Sequence, residues 1–174
     1  MAERGALSPR AVAALLRAAG GQLAAEVGAL PEAVLRHHPA AGEWCVKEVV
    51  GHLIEAERRG FAGRIRTLLD ENNPTFVGWD PNEVARERKD CSRDGLELLV
   101  EFQVLRDTSA DVVAGLRAND LARGGRHPKV GVLTIGDVLA EWVHHDRNHI
   151  RQIHANVQSF VWPHMGNAQR FSQP

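Results

Sequence analysis

An all-α four-helix bundle with short accessory helices in its loops is the fold this sequence predicts, on three observations. Long stretches carry apolar residues at steps of three and four, the period of a half-buried helix. The segments between them are marked by Pro, Gly and Asn, with no credible strand set. With 174 residues, 44% hydrophobic and 25% charged, the chain is long enough for one domain with a sizeable core and short for two. Amphipathic stripes of this length have to be buried against one another, and a bundle does so. Residues 1–160 read as a single domain and residues 161–174 as an irregular C-terminal tail.

The first helix opens at Ser8-Pro9, a cap residue followed by proline at the first helical position. Val12, Leu15, Leu16, Leu23 and Val27 form its stripe, and Gly20-Gly21 predict a loosening midway. Leu30-Pro31 and His38-Pro39 bracket a short helical piece. The second helix is expected from Val46 to about Leu69, with Val49, Val50, Leu53, Ile54, Phe61, Ile65 and Leu68 on its buried side. Asn72-Asn73-Pro74 ends it, and residues 74–80 read as non-helical. Asp80 with Pro81 opens a short helix toward Ser92. The third long helix is expected from Ser92 to about Leu116, on Leu96, Leu98, Leu99, Phe102, Leu105, Val112 and Val113. Residues 118–133 are loop-rich, although Val130, Val132 and Leu133 allow a brief extended piece. Thr134 caps the fourth helix, with Asp137 as its capping-box acid, and the helix runs to about Phe160.

Lys plus Arg number 21 against 22 for Asp plus Glu. That balance argues against a generic phosphate-binding surface and so against nucleic acid as partner. Arg58-Arg59 and Arg64-Ile65-Arg66 read as a solvated helix face. No apolar run approaches the ~18 residues needed to cross a bilayer, and MAERGALSPR lacks the apolar core of a signal peptide. Cys45 and Cys91 are too few for a disulfide framework or a cysteine-based metal knot. The expected location is the cytoplasm.

The chemistry concentrates on the fourth helix, where HHDRNHIRQIH places four of the nine histidines within residues 144–154. The inward seam runs Ile135, Val138, Trp142, His145, His149, then Gln152 or Ile153; His144 and His154 lie off it. Residues four apart share a helix face, about 5–6 Å apart at Cβ, so His145 and His149 can aim at one point. Buried imidazoles without partners cost about 1–3 kcal/mol each, which a metal ion or a hydrogen-bonded network would offset. On the second helix His52 lies at the edge of the apolar face. If the two helices are neighbours it can meet the other two, and three histidines leave a fourth position open, as in a catalytic metal site.

GEWCVKEVVGHLIEAE, with Trp44 ahead of the helix that carries His52, resembles the start of the metal-binding core of the DinB/YfiT-like superfamily. EWVHHDRNHIRQI resembles its second signature, a His-x3-His pair followed closely by Gln. The resemblance extends over about residues 8–158. It implies a four-helix bundle, a divalent metal (nickel or zinc) held by His52, His145 and His149, and often a homodimer. Some relatives are transferases or isomerases that use a low-molecular-weight thiol. Ile150-Arg151-Gln152 stands where many members have Arg-Gly-Gln, so details of the pocket wall do not carry over.

The expected function is a metal-dependent enzyme acting on a small molecule, with thiol-dependent S-transfer first and hydrolysis second. A non-catalytic, metal-stabilised bundle that binds a ligand or partner is the alternative, and a bundle with hydrogen-bonded histidines the third. No catalytic acid or base is assigned. Glu48, Glu55, Glu141 and Gln152 lie three or four residues from a triad member and are the candidates to hold the ligand rings. His145-Asp146-Arg147-Asn148-His149 is the zinc-protease pattern with a shorter Asp in the place of Glu, whose reach to a metal-bound water is doubtful. Cys45 reads as a small buried hydrophobe, and Trp44 and Trp142 as pocket wall or core. His37, His38 and His127 are expected on the surface.

Overall fold

The computed structural model describes residues 7–172; residues 1–6 of the expected domain and 173–174 of the expected tail lie outside them. Helix α1 (Pro9–Ala29) starts where Ser8 Oγ accepts the Ala11 backbone N–H. One turn, α2 (Glu32–Leu35), leads to α3 (Val46–Glu55), a π turn at Ala56–Gly60 and α4 (Ala62–Asp70). Asp80 caps α5 (Pro81–Arg88), which a 3-10 turn at Asp90–Ser92 follows. Helix α6 (Gly95–Ala114) begins three residues later than expected, because the Asp94 carboxylate accepts from the N–H groups of Leu96 and Glu97. A 3-10 turn at Ala118–Ala122 precedes the antiparallel strands β1 (Gly124–His127) and β2 (Gly131–Thr134), and α7 (Ile135–Val161) completes the set.

The four rods are α1, the α3–α4 pair, α6 and α7. Helix α1 packs on α6 and α7, and α3 packs on the same two. One apolar core gathers Leu16, Ile65, Leu68, Ile135 and Trp142; the other gathers Leu23, Leu53, Ile54, Phe102 and Ile153. Among the described residues no helix is long and apolar enough to cross a membrane.

Three local expectations need correction. Helix α1 is not loosened at Gly20-Gly21. Gly20 is buried against α6, and a Cβ there would stand 3.0 Å from Arg106 Cγ, so the missing side chain makes room for an arginine. A hairpin replaces the single extended piece. Gly131, at φ 80, reverses the chain, and the Pro74–Phe76 segment bonds along Arg126 on both sides (2.7 and 2.8 Å). Four-residue strands are too short to show alternation. The tail carries 3-10 turns at Trp162–His164 and Gly166–Phe171.

The second helix is not continuous. The Phe61 N–H reaches five residues back to Ala56 O (2.7 Å), which inserts one residue into the helical count. In an unbroken helix Phe61 would lie about 180° from His52 and Arg64 about 120° from it, at ~100° per residue. The insertion brings them to about 80° and 20°. Gly63 permits it, since a Cβ there would meet Arg58 O at 2.1 Å.

Candidate metal centre

Three imidazoles from two rods converge. His52 Nε2 lies 3.0 Å from His145 Nε2, and His149 Nε2 lies 3.2 Å from it. Trp44 and Trp79 pack near the His52 ring (centroids 5.0 and 5.8 Å away), and Phe61 sets its edge toward His145 (5.0 Å) while stacking on the buried Trp142 (5.0 Å, 10°). Burial pushes the His52 ring down to about 3, with His149 adding to it, and pushes His145 down to about 2 with help from His149 and His52. His149 is also lowered by burial, against the opposing pull of Gln152. All three rings are therefore neutral near pH 7, the form that ligates metals.

Hydrogen bonding alone does not satisfy this group. The Gln152 carbonyl oxygen sits 2.8 Å from His149 Nδ1, so that nitrogen carries the proton and His149 Nε2 presents a lone pair. His145 Nε2 can donate one hydrogen bond or accept one, so at most one of its two close approaches is a hydrogen bond. His52 Nδ1 and His145 Nδ1 are buried without partners. A cation answers what the rings leave open. Nitrogens about 2.0–2.1 Å from a tetrahedral zinc ion would stand about 3.3 Å apart, close to the spacings found. The donor set therefore fits a divalent metal.

The other expected residues separate. Gln152 is on the His149 ring. Glu141 is exposed at the cavity beside the triad. Glu48 instead accepts the Cys45 backbone N–H (2.8 Å) as the capping acid of α3, and Glu55 is buried among Arg59, Arg88 and Arg58 (2.6, 2.7 and 3.3 Å). Neither makes a hydrogen bond to a triad ring among the described residues, so both leave the set of ring partners. Asp146, fully buried, accepts two hydrogen bonds from Arg106, one of them Nη2 to Oδ1 at 2.9 Å. Held as an ion-pair partner, it does not occupy the position of a zinc-protease base.

Sequence reasoning missed Arg106 itself, which also donates to Glu57 (2.7 Å) and Leu16 O (3.1 Å) and ties α6 to the π turn, α1 and α7. It also placed Arg64 and His127 on the solvated surface. Both are half-buried and line a cavity of about 590 Å³ that His52, His145, Trp79, Lys129 and Glu141 share. That volume suits a small molecule. Cys45 and Cys91 are free and lie with His38 in a second group whose ligand atoms are within 4.8 Å of one another. Burial raises the Cys45 thiol, as expected of a small buried hydrophobe.

The family model of the DinB superfamily matches residues 15–153. The chain belongs to the DinB superfamily. It is 25% identical over 122 residues, 70% of each chain, to a protein of Oceanobacillus iheyensis whose name marks it as a candidate metal-dependent hydrolase. It is 23% identical over 140 residues, 74% of this chain and 86% of the other, to the uncharacterised protein YuaE of Bacillus subtilis. Among solved structures it is similar to YfiT from Bacillus subtilis, described as a probable metal-dependent hydrolase with an unusual four-helix bundle topology. The TM-score is 0.82 with 21% identity, over 93% of this chain and 94% of that one, a likeness of fold.

Proposed function

We propose that this DinB-superfamily protein is a metal-dependent enzyme acting on a small molecule in the 590 Å³ cavity, with hydrolysis as the first assignment. The observation that carries this reading is the convergence of three Nε2 atoms that no hydrogen-bonding scheme satisfies, at the wall of that cavity. His52, His145 and His149 hold the ion, and three neutral imidazoles suit zinc or nickel. When bound, it supplies a Lewis acid that lowers the pKa of water to about 7.

The chain's own residues do the positioning. Gln152 keeps the His149 proton on Nδ1 and so turns Nε2 toward the ion. Trp44, Trp79 and Phe61 hold the His52 and His145 rings and keep water from their faces. The name of the Oceanobacillus relative supports hydrolysis and moves thiol transfer, the first expectation from the resemblance, to second place. A low-molecular-weight thiol would enter the same cavity, since a coordinating thiol loses its proton. The homodimer and the cytoplasmic setting belong to the same proposal.

Elemental analysis of protein stripped with chelator and reloaded tests it. About one divalent ion per chain is expected, absent from His52→Ala and His145→Ala and retained in Cys45→Ser and Cys91→Ser. An ion that stays in His145→Ala, or no uptake by the wild type, overturns the assignment. Turnover of an ester panel by loaded wild type, lost in His145→Ala, supports hydrolysis; turnover only with added thiol supports transfer.

A further inference from the structure

We propose that Arg64, His127 and the Lys129 backbone N–H form an anion-binding subsite in the cavity of the histidine triad, and that the substrate carries a carboxylate or phosphate group seated there. The inference rests on the functional reading above and specifies its substrate class.

The first observation is an arginine without a counter-charge. Arg64 is half-buried on α4, and among the described residues no carboxylate forms an ion pair with it. Burial lowers its pKa, and no acid is there to oppose the effect. Its guanidinium lies over the Phe76 ring (5.7 Å) and lines two adjoining cavities. By contrast Arg88 and Arg93 are tied to Asp90, Arg106 to Glu57 and Asp146, and half-buried Arg123 to the carbonyls of Leu68 and Leu69. Arg147, half-buried on α7, also forms no ion pair among the described residues but does not line this cavity.

The second observation is a conflict between donors. The Lys129 backbone N–H approaches His127 Nδ1 (3.2 Å), and Arg64 Nη2 approaches His127 Nε2 (3.2 Å). A neutral imidazole accepts at one nitrogen and donates at the other. Whichever nitrogen holds the proton, one N–H faces another N–H with no acceptor between them. An anionic oxygen against this group would receive the donors that the ring cannot. Guanidinium recognises carboxylate and phosphate oxygens through paired N–H groups.

The third observation is register. The π turn swings Arg64 from about 120° to about 20° from His52 around the helix, so one face of the α3–α4 rod carries both a triad histidine and the lone guanidinium. The carboxylates on these walls are Asp137 and Glu141. Asp137 is bound to the Thr134 N–H and hydroxyl (2.9 and 2.7 Å), which leaves Glu141, exposed and on α7, to face Arg64, His127 and Lys129.

Benzoate, inorganic phosphate and the uncharged control benzamide, titrated while binding heat is followed by calorimetry, test the subsite. Wild type, Arg64→Gln, Arg64→Lys and His145→Ala are compared, each checked for an unchanged fold by circular dichroism. The expected result is saturable binding of benzoate or phosphate but not benzamide. It should weaken about tenfold or more in Arg64→Gln, recover in part in Arg64→Lys, and persist in His145→Ala. The anion that binds more tightly identifies the group as carboxylate or phosphate. Equal binding by Arg64→Gln and wild type overturns the proposal, as does failure of both anions to bind. Anion binding lost in His145→Ala but kept in Arg64→Gln overturns it too, by placing the anion at the triad and leaving the metal assignment intact.

Discussion

Arg106→Met separates a structural ion-pair network from a catalytic one. Arg106 is 2% exposed and holds two buried carboxylates, Glu57 at 1% and Asp146 at 0%. Methionine fills much of the same volume and removes the charge, leaving both acids desolvated without their cation. Removing one partner of a buried pair costs about 3–5 kcal/mol, a large part of the 5–15 kcal/mol that holds a domain together. At about 2–4 °C per kcal/mol for a chain of this size, the melting temperature falls by about 6–20 °C.

The loss depends on pH, and its sign follows from burial. Burial already raises Glu57 above its ordinary value while Arg106 opposes it. Without Arg106 the folded-state pKa of Glu57 stands still further above the unfolded one. The protonated form of Glu57 then favours the fold at low pH, and that contribution is lost as pH rises. Urea denaturation should show a small deficit near pH 4–5 that grows toward pH 7. Replacing Glu57 and Asp146 by Leu in the same variant should recover most of the loss. A deficit below about 1 kcal/mol at pH 7, or one that shrinks as pH rises, would refute the reasoning.

Gln152→Leu removes the acceptor that fixes the His149 proton; metal affinity should fall about 10–100-fold with the melting temperature of the stripped protein little changed, and equal affinity in a competition assay with a chelating dye contradicts the role. Chelator-stripped wild type should lose stability as pH drops below about 6.5, because the unfolded histidines bind protons that His52 and His145, held down at about 3 and 2, refuse in the fold. Above pH 6.5 this contribution is fully present, and below it each ring costs up to about 1.4 kcal/mol per pH unit; denaturation midpoints that do not move between pH 7.5 and 5.5 argue against neutral burial. Gly63→Ala, which would press a Cβ onto Arg58 O, should cost about 1–3 kcal/mol, read by thermal melting; a neutral outcome means that the π turn relaxes freely.

The bundle was legible because apolar residues at helical spacing report which face each rod buries, and Ser8, Asp80 and Thr134 announce helix starts through their side-chain chemistry. The pairing of His145 with His149 was legible for a similar reason, since four residues is one turn. That His52 meets them depends on which rods are neighbours, and local spacing holds no record of that. Arg106, Glu57 and Asp146 sit on three different elements; each looks like an ordinary charge on a solvated face until tertiary packing brings them together. Arg64 was misread because the extra residue in the π turn rotates everything after it, and the run Glu57-Arg58-Arg59 hides the change of phase. His127 was placed on the surface because its strand is four residues long.

One surplus residue between Ala56 and Gly60 therefore sets helical regularity against the alignment of the rod's two halves at the present chain length. Deleting it would restore ordinary i to i+4 bonding and give a locally more regular helix. That deletion leaves Phe61 eight residues from His52 and at the same ~80°, whereas straightening the turn at full length would swing the downstream half by about 100° and carry Phe61 away from the His145 ring. The wide turn is thus what aligns the two halves at this chain length, and the rod could become regular without losing that alignment only by becoming one residue shorter.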